Sequence, residues 1–69
     1  MRNMSDFKFR GFAVKAFYAV IKGNDPQIIK LEDTYDMAIS QVLSVLQDEC
    51  EQREMTDLIP LAKRALHFV

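Results

Sequence analysis

The chain has 69 residues, of which 49% are hydrophobic and 28% charged, with two glycines and two prolines. That balance excludes a disordered tail, a collagen-like repeat and a low-complexity linker. One cysteine and one histidine exclude an internal disulfide framework, a multi-cysteine zinc site and a His–His metal clamp. A chain this short buries only about 60% of the surface its unfolded form exposes, so its core is marginal and everything apolar matters.

The net charge of −1 predicts no general affinity for polyanions, but the charge is unevenly laid out. Residues 1–30 carry six basic groups (Arg2, Lys8, Arg10, Lys15, Lys22 and Lys30) against Asp6 and Asp25, a balance of +4. Residues 31–69 balance to −5. Such asymmetry marks either a polyanion-binding half or two halves that attract one another. The longest uncharged apolar run, Ala16–Ile21, is six residues. A membrane span needs about 20 residues and a signal-peptide core about 7–15, so the expectation is an untargeted cytoplasmic protein. One domain is expected over 1–69, with residues 1–6 as a flexible lead-in.

In chain order, residues 7–33 fit two patterns. The first is a β-hairpin. Phe, Tyr, Val and Ile supply six of the eleven residues from Phe12 to Lys22, and side chains of these types lose freedom in a helix. Gly23-Asn24-Asp25-Pro26 is turn chemistry, and Gln27–Glu32 reads as a second strand. With Lys22 opposite Gln27, Val20 faces Ile29 and Tyr18 faces Leu31. Lys15, Lys30 and Glu32 then share the other face with Phe17, Ala19, Ile21 and Ile28. The second pattern is a helix from Ser5 to Lys22. In it Lys8, Lys15 and Lys22 form a polar stripe at seven-residue spacing, opposite Phe9, Ala13, Ala16, Phe17 and Val20. Gly23 is then a C-cap, Pro26 opens the next helix, and the product is an all-α three-helix hairpin bundle. Composition and charge segregation favour the hairpin.

Residues 34–53 read as an amphipathic helix, capped by Asp33 or Thr34, with Tyr35, Ala38, Ile39, Val42, Leu43, Leu46 and Cys50 on one stripe. Residues 56–68 read as a second helix. Thr56 or Asp57 caps it, Pro60 is in its first turn, and Leu58, Leu61, Ala62, Ala65, Leu66 and Val69 are its apolar positions. The expected fold is therefore α+β, a small hairpin followed by two helices in the order ββαα.

No chemistry of catalysis is encoded. His67 sits beside Phe68 at the chain end, and Cys50 continues an apolar stripe with no partner histidine spaced for nucleophilic work. Asp33, Thr34 and Asp36 lack the calcium-loop spacing and fit helix capping. The acidic run Asp48, Glu49, Glu51 and Glu54 reads as a solvated helix face. Two glycines cannot build a nucleotide cradle. No enzyme activity, cofactor or metal is expected.

The expected role is a small accessory protein of the phage or prophage type, a non-enzymatic module that regulates or inhibits a larger protein. A hairpin and two short helices leave an apolar face open, so a homodimer or a protein partner should cover it. The expected contacts are Phe17, Ile21, Ile28, Lys15 and Lys30. The alternative is a nucleic-acid-binding regulator that uses Lys8, Arg10, Lys15, Lys22 and Lys30, since cations alternating with aromatics, as in Phe7-Lys8-Phe9-Arg10-Gly11-Phe12, can hold phosphates and stack bases.

Overall fold

Ser5 and Gly23 decide what the first third of the chain becomes. In the computed structural model, which describes residues 3–69, the Ser5 side chain accepts a hydrogen bond from the Lys8 amide at 3.2 Å and starts helix α1, Asp6–Ile21. At the other end Gly23 turns left-handed (φ 68°). Its N–H reaches the Val20 carbonyl, and the Asn24 N–H reaches that of Ala19 at 2.8 Å. This paired closure needs a residue that tolerates positive φ, and glycine does so without strain. Asn24 then accepts from the Gln27 amide at 3.4 Å, and Pro26 sits in the first turn of α2, Asp25–Tyr35.

The described residues contain no strand. The β-hairpin expected over 7–33, and with it the α+β class, is overturned, and the all-α alternative fits. The reason is periodicity prevailing over composition. Phe9, Ala13, Ala16, Phe17 and Val20, three or four residues apart, are all buried, which only a 3.6-residue repeat achieves. Alanines at 13, 16 and 19 supply the helix propensity that the aromatic and β-branched residues lack.

In the three-helix alternative the helix opened at Pro26 joins that of residues 34–53; in the structure the two are separate, α2 ending at Tyr35. Asp36 adopts left-handed geometry (φ 51°, ψ 47°) at the end of α2, a conformation that Asp tolerates better than most residues. Ala38 is extended, and α3 runs Ile39–Gln52. Glu32 reaches across the corner to accept the Ile39 N–H at 2.9 Å, one of the orphan donors of the new helix. Thr34, expected as a cap, instead donates its hydroxyl to the Lys30 carbonyl at 2.7 Å inside α2. Glu54, at φ 59°, ends α3 with the Met55 N–H on the Cys50 carbonyl at 2.8 Å. A short 3₁₀ turn, Thr56–Leu58, leads into α4, Ile59–Leu66. No side-chain cap forms at either; Asp57 is engaged elsewhere.

Helix α1 packs against α2 and α4, and α3 packs against α4 and α2. One apolar cluster draws on all four: Phe9 and Phe17 from α1, Leu31 from α2, Val42, Leu43, Leu46 and Cys50 from α3, Ala62 and Ala65 from α4. Phe12 of α1 meets Tyr35 of α2 with ring centroids 5.9 Å apart. Two arginines fasten α1 to the later elements. Arg10 grips Asp57 with two nitrogens, at 2.6 and 3.1 Å. Arg53 donates to Asp6 at 2.7 Å and to Glu49 at 2.8 Å, with its guanidinium 4.6 Å from the Phe9 ring centre.

Two outcomes follow from this packing. Removing a buried ring costs about 3–5 kcal/mol, and a chain of this length has only roughly 3–10 kcal/mol in hand. Phe17→Asp adds a buried charge, so it should abolish cooperative thermal unfolding and most helical circular dichroism. Native-like melting of that variant would show that Phe17 is not in the core. The hydrogen bonds from Arg10 hold the Asp57 carboxyl below its ordinary value. A carboxyl depressed in the folded state stabilises above its unfolded pKa of about 3.9 and ceases to as pH falls through the folded value. Wild type should therefore melt above Asp57→Asn at neutral pH, with the gap narrowing as pH falls below the unfolded pKa of about 3.9 and through the lower folded one. A gap that ignores pH would refute the pairing.

Candidate functional site

Burying the Phe9–Val20 face of α1 turns the other face outward. Its lysines, seven residues apart, rise along the helix at about 1.5 Å per residue, so Lys8, Lys15 and Lys22 are spaced about 10.5 Å apart in one row. That row spans about 21 Å of a molecule 28 Å in its longest dimension. Beside it run Phe7, Gly11, Val14 and Tyr18, at i, i+4, i+7 and i+11. Phe7 is 87% exposed and Tyr18 41%.

The packing of α2 on α1 brings a further cation to this row. A shallow groove of about 520 Å³ lies between the two helices, lined by Lys15, Lys22 and Lys30 with Val14, Tyr18, Ala19, Asn24 and Gln27. No carboxylate lines it. None of these three lysines, nor Lys8, makes an ion pair with a described residue. The Lys22 ammonium lies 5.6 Å from the centre of the Tyr18 ring. The groove thus concentrates three positive charges, one exposed aromatic ring and two side-chain amides.

The residues expected at a site from sequence separate into two groups. Lys8, Lys15, Lys22 and Lys30 are exposed; Lys15, Lys22 and Lys30 line the α1–α2 groove, and Lys8 continues the row on α1 beyond it. Arg10 does not join them as a free cation, because its guanidinium is committed to Asp57. Phe17 is fully buried, and Ile21 and Ile28 are half-buried against the core. They form no outward apolar face; the hairpin that would have exposed them is absent. Arg2, counted with the basic half, and Met1 lie outside the described residues. Tyr18, Asn24 and Gln27 were missed as site residues. In the hairpin register Tyr18 belongs to the core face, and Asn24 and Gln27 reach the groove only once α2 folds back as a helix.

The other reactive groups are placed for structure. Cys50 is fully buried, and loss of solvent around it pushes its thiol pKa up, away from the nucleophilic thiolate. His67 is exposed near the chain end. Glu49, in the acidic run, is held by Arg53 rather than standing free. Among the described residues no group of three or more His, Cys, Asp or Glu side chains is arranged to hold a metal ion, and no helix is long and apolar enough to cross a membrane. Comparison with protein-family models, with curated proteins and with solved structures finds no match to this chain.

Proposed function

We propose that the chain is a non-enzymatic binding protein whose ligand is nucleic acid, held on the α1–α2 face. The observation that carries this reading is the convergence of Lys15, Lys22 and Lys30 around Tyr18 in one groove, with no ion pair to neutralise them. The net charge of −1 does not oppose it, because charges beyond about 10 Å are largely screened at ordinary ionic strength and the local surface decides contact. Lysine suits the task as a compact cation on a flexible stem that follows a phosphate without demanding one geometry. As a regulator, such a protein would act by occupying nucleic acid.

A second reading rests on a separate observation. Phe7, 87% exposed on a well-formed helix, with Val14 and Tyr18 on the same side, suits a protein-docking module, whether the occupant is a larger partner or a second copy. Its weakness is area: three scattered side chains bordered by lysines are far from the roughly 800 Å² per partner of a standard interface. Of the apolar contacts first expected to add to it, Phe17 is in the core and Ile21 and Ile28 are half-buried against it.

The test is fluorescence anisotropy with labelled single-stranded and duplex oligonucleotides of about 20 nucleotides at about 50 mM salt. The expected affinity is micromolar, between about 1 and about 100 μM. Four phosphate-contacting lysines predict a slope of log K against log salt of about −3 on single strands. Lys15→Glu combined with Lys22→Glu should weaken binding at least roughly tenfold, with circular dichroism unchanged because both side chains are exposed. Absence of binding, or binding indifferent to this double variant, overturns the reading.

A further inference from the structure

The geometry points to single-stranded nucleic acid as the ligand, with Tyr18 as a platform on which one base stacks. This inference rests on the nucleic-acid reading above and goes further by naming the form that the groove accepts.

The Tyr18 ring is exposed beside the lysine row, at a height along α1 between Lys15 and Lys22. Aromatic rings bind unstacked bases through their faces, and this works for any base. The Lys22 ammonium lies over one face of the ring, 5.6 Å from its centre, so a base takes the other face or displaces the ammonium, and in either case its phosphate stays within reach of that flexible cation. The groove also supplies amide groups. Asn24 spends its side-chain oxygen on the Gln27 backbone N–H, which leaves its amide nitrogen to donate to a base edge. The side chain of Gln27 lines the same wall. Stacking ring, flanking cations and amides are the ingredients of single-strand recognition.

A duplex fits this surface poorly. Its base faces are stacked inside, so Tyr18 would meet base edges, sugar and phosphate but could not stack. Its broad charged surface would also extend past the narrow lysine row onto α2, where Asp25 and Asp33 are exposed and would repel it. A single strand a few nucleotides long can follow the row and covers less of α2 than a duplex does.

The experiment compares three labelled probes on the intact chain: an oligothymidylate of about 20 nucleotides, a duplex of the same length, and a poly-L-glutamate of similar charge. The expected order is single strand tightest, by at least about fivefold over duplex. Tyr18→Leu keeps the apolar bulk and removes the ring. It should cost roughly tenfold on the single strand and leave the duplex unchanged, while Tyr18→Phe retains affinity. The chain has no tryptophan and only two tyrosines, so quenching of tyrosine emission on binding, lost in Tyr18→Phe, reports the stack directly. If duplex binds as well as single strand and Tyr18→Leu is silent, the lysine surface stands and the stacking inference falls. If poly-L-glutamate binds as tightly as oligothymidylate, the surface is a docking site for acidic polypeptide and both fall. If no probe binds, both fall as well.

Discussion

Two phenylalanine rings, Phe9 and Phe17, set the terms for this molecule. They are eight residues apart on one helix and both are wholly withdrawn from water. Each ring buries on the order of 150–250 Å², a large share for so short a chain. Ala13 and Ala16 lie between them on the same buried side of α1, and Ala62 and Ala65 are buried on α4. Small side chains let helix backbones come close, so that large rings are enclosed without voids. Once that face of α1 is committed inward, its lysines have no place but outward. The proposed site is the reverse side of the packing solution.

The same constraint sorts the cations. Arg10 and Arg53 tie elements together, and the planar fork of guanidinium is suited to that, because it meets a carboxylate with two parallel bonds and can lie over a ring. Lysines 8, 15, 22 and 30 are left with solvent and Tyr18. Among the described residues of the basic half, Arg10 therefore serves the fold, while the four lysines make no ion pair. Arg10 and Asp57 carry an attraction between the halves, and the proposed polyanion-binding surface draws on other side chains, so the two explanations of the charge asymmetry are compatible.

Much of the second half was legible in the sequence. Val42, Leu43, Leu46 and Cys50 recur at helical spacing and are all buried, as are Leu58, Ala62 and Ala65, while Val69 at the chain end is half exposed. The corner at Asp36 was not legible, because Asp33, Thr34 and Asp36 suit a helix start as readily as a helix end. Only the tertiary reach of Glu32 to the Ile39 N–H identifies this corner as the start of α3. The first half was misjudged for a definable reason. Phe12–Lys22 alternates well enough to segregate charge on a two-residue repeat, and its residue types favour strands. Yet the alanines at 13, 16 and 19, the Ser5 cap and Gly23 all agree on a helix, and agreement across local signals outweighs side-chain type alone. Of the site, the Lys8–Lys15–Lys22 row was visible as a seven-residue spacing. The addition of Lys30, Asn24 and Gln27 depends on α2 lying along α1, which no local pattern announces.

Cys50 gives this small bundle a built-in gauge. It is the chain's one thiol, wholly enclosed where α3 faces its neighbours and held in its unreactive protonated form. A thiol-modifying reagent can reach it only when the helices part. Its rate of modification therefore measures how often the bundle opens, and ligands on the distant lysine surface would make themselves felt there as slower labelling.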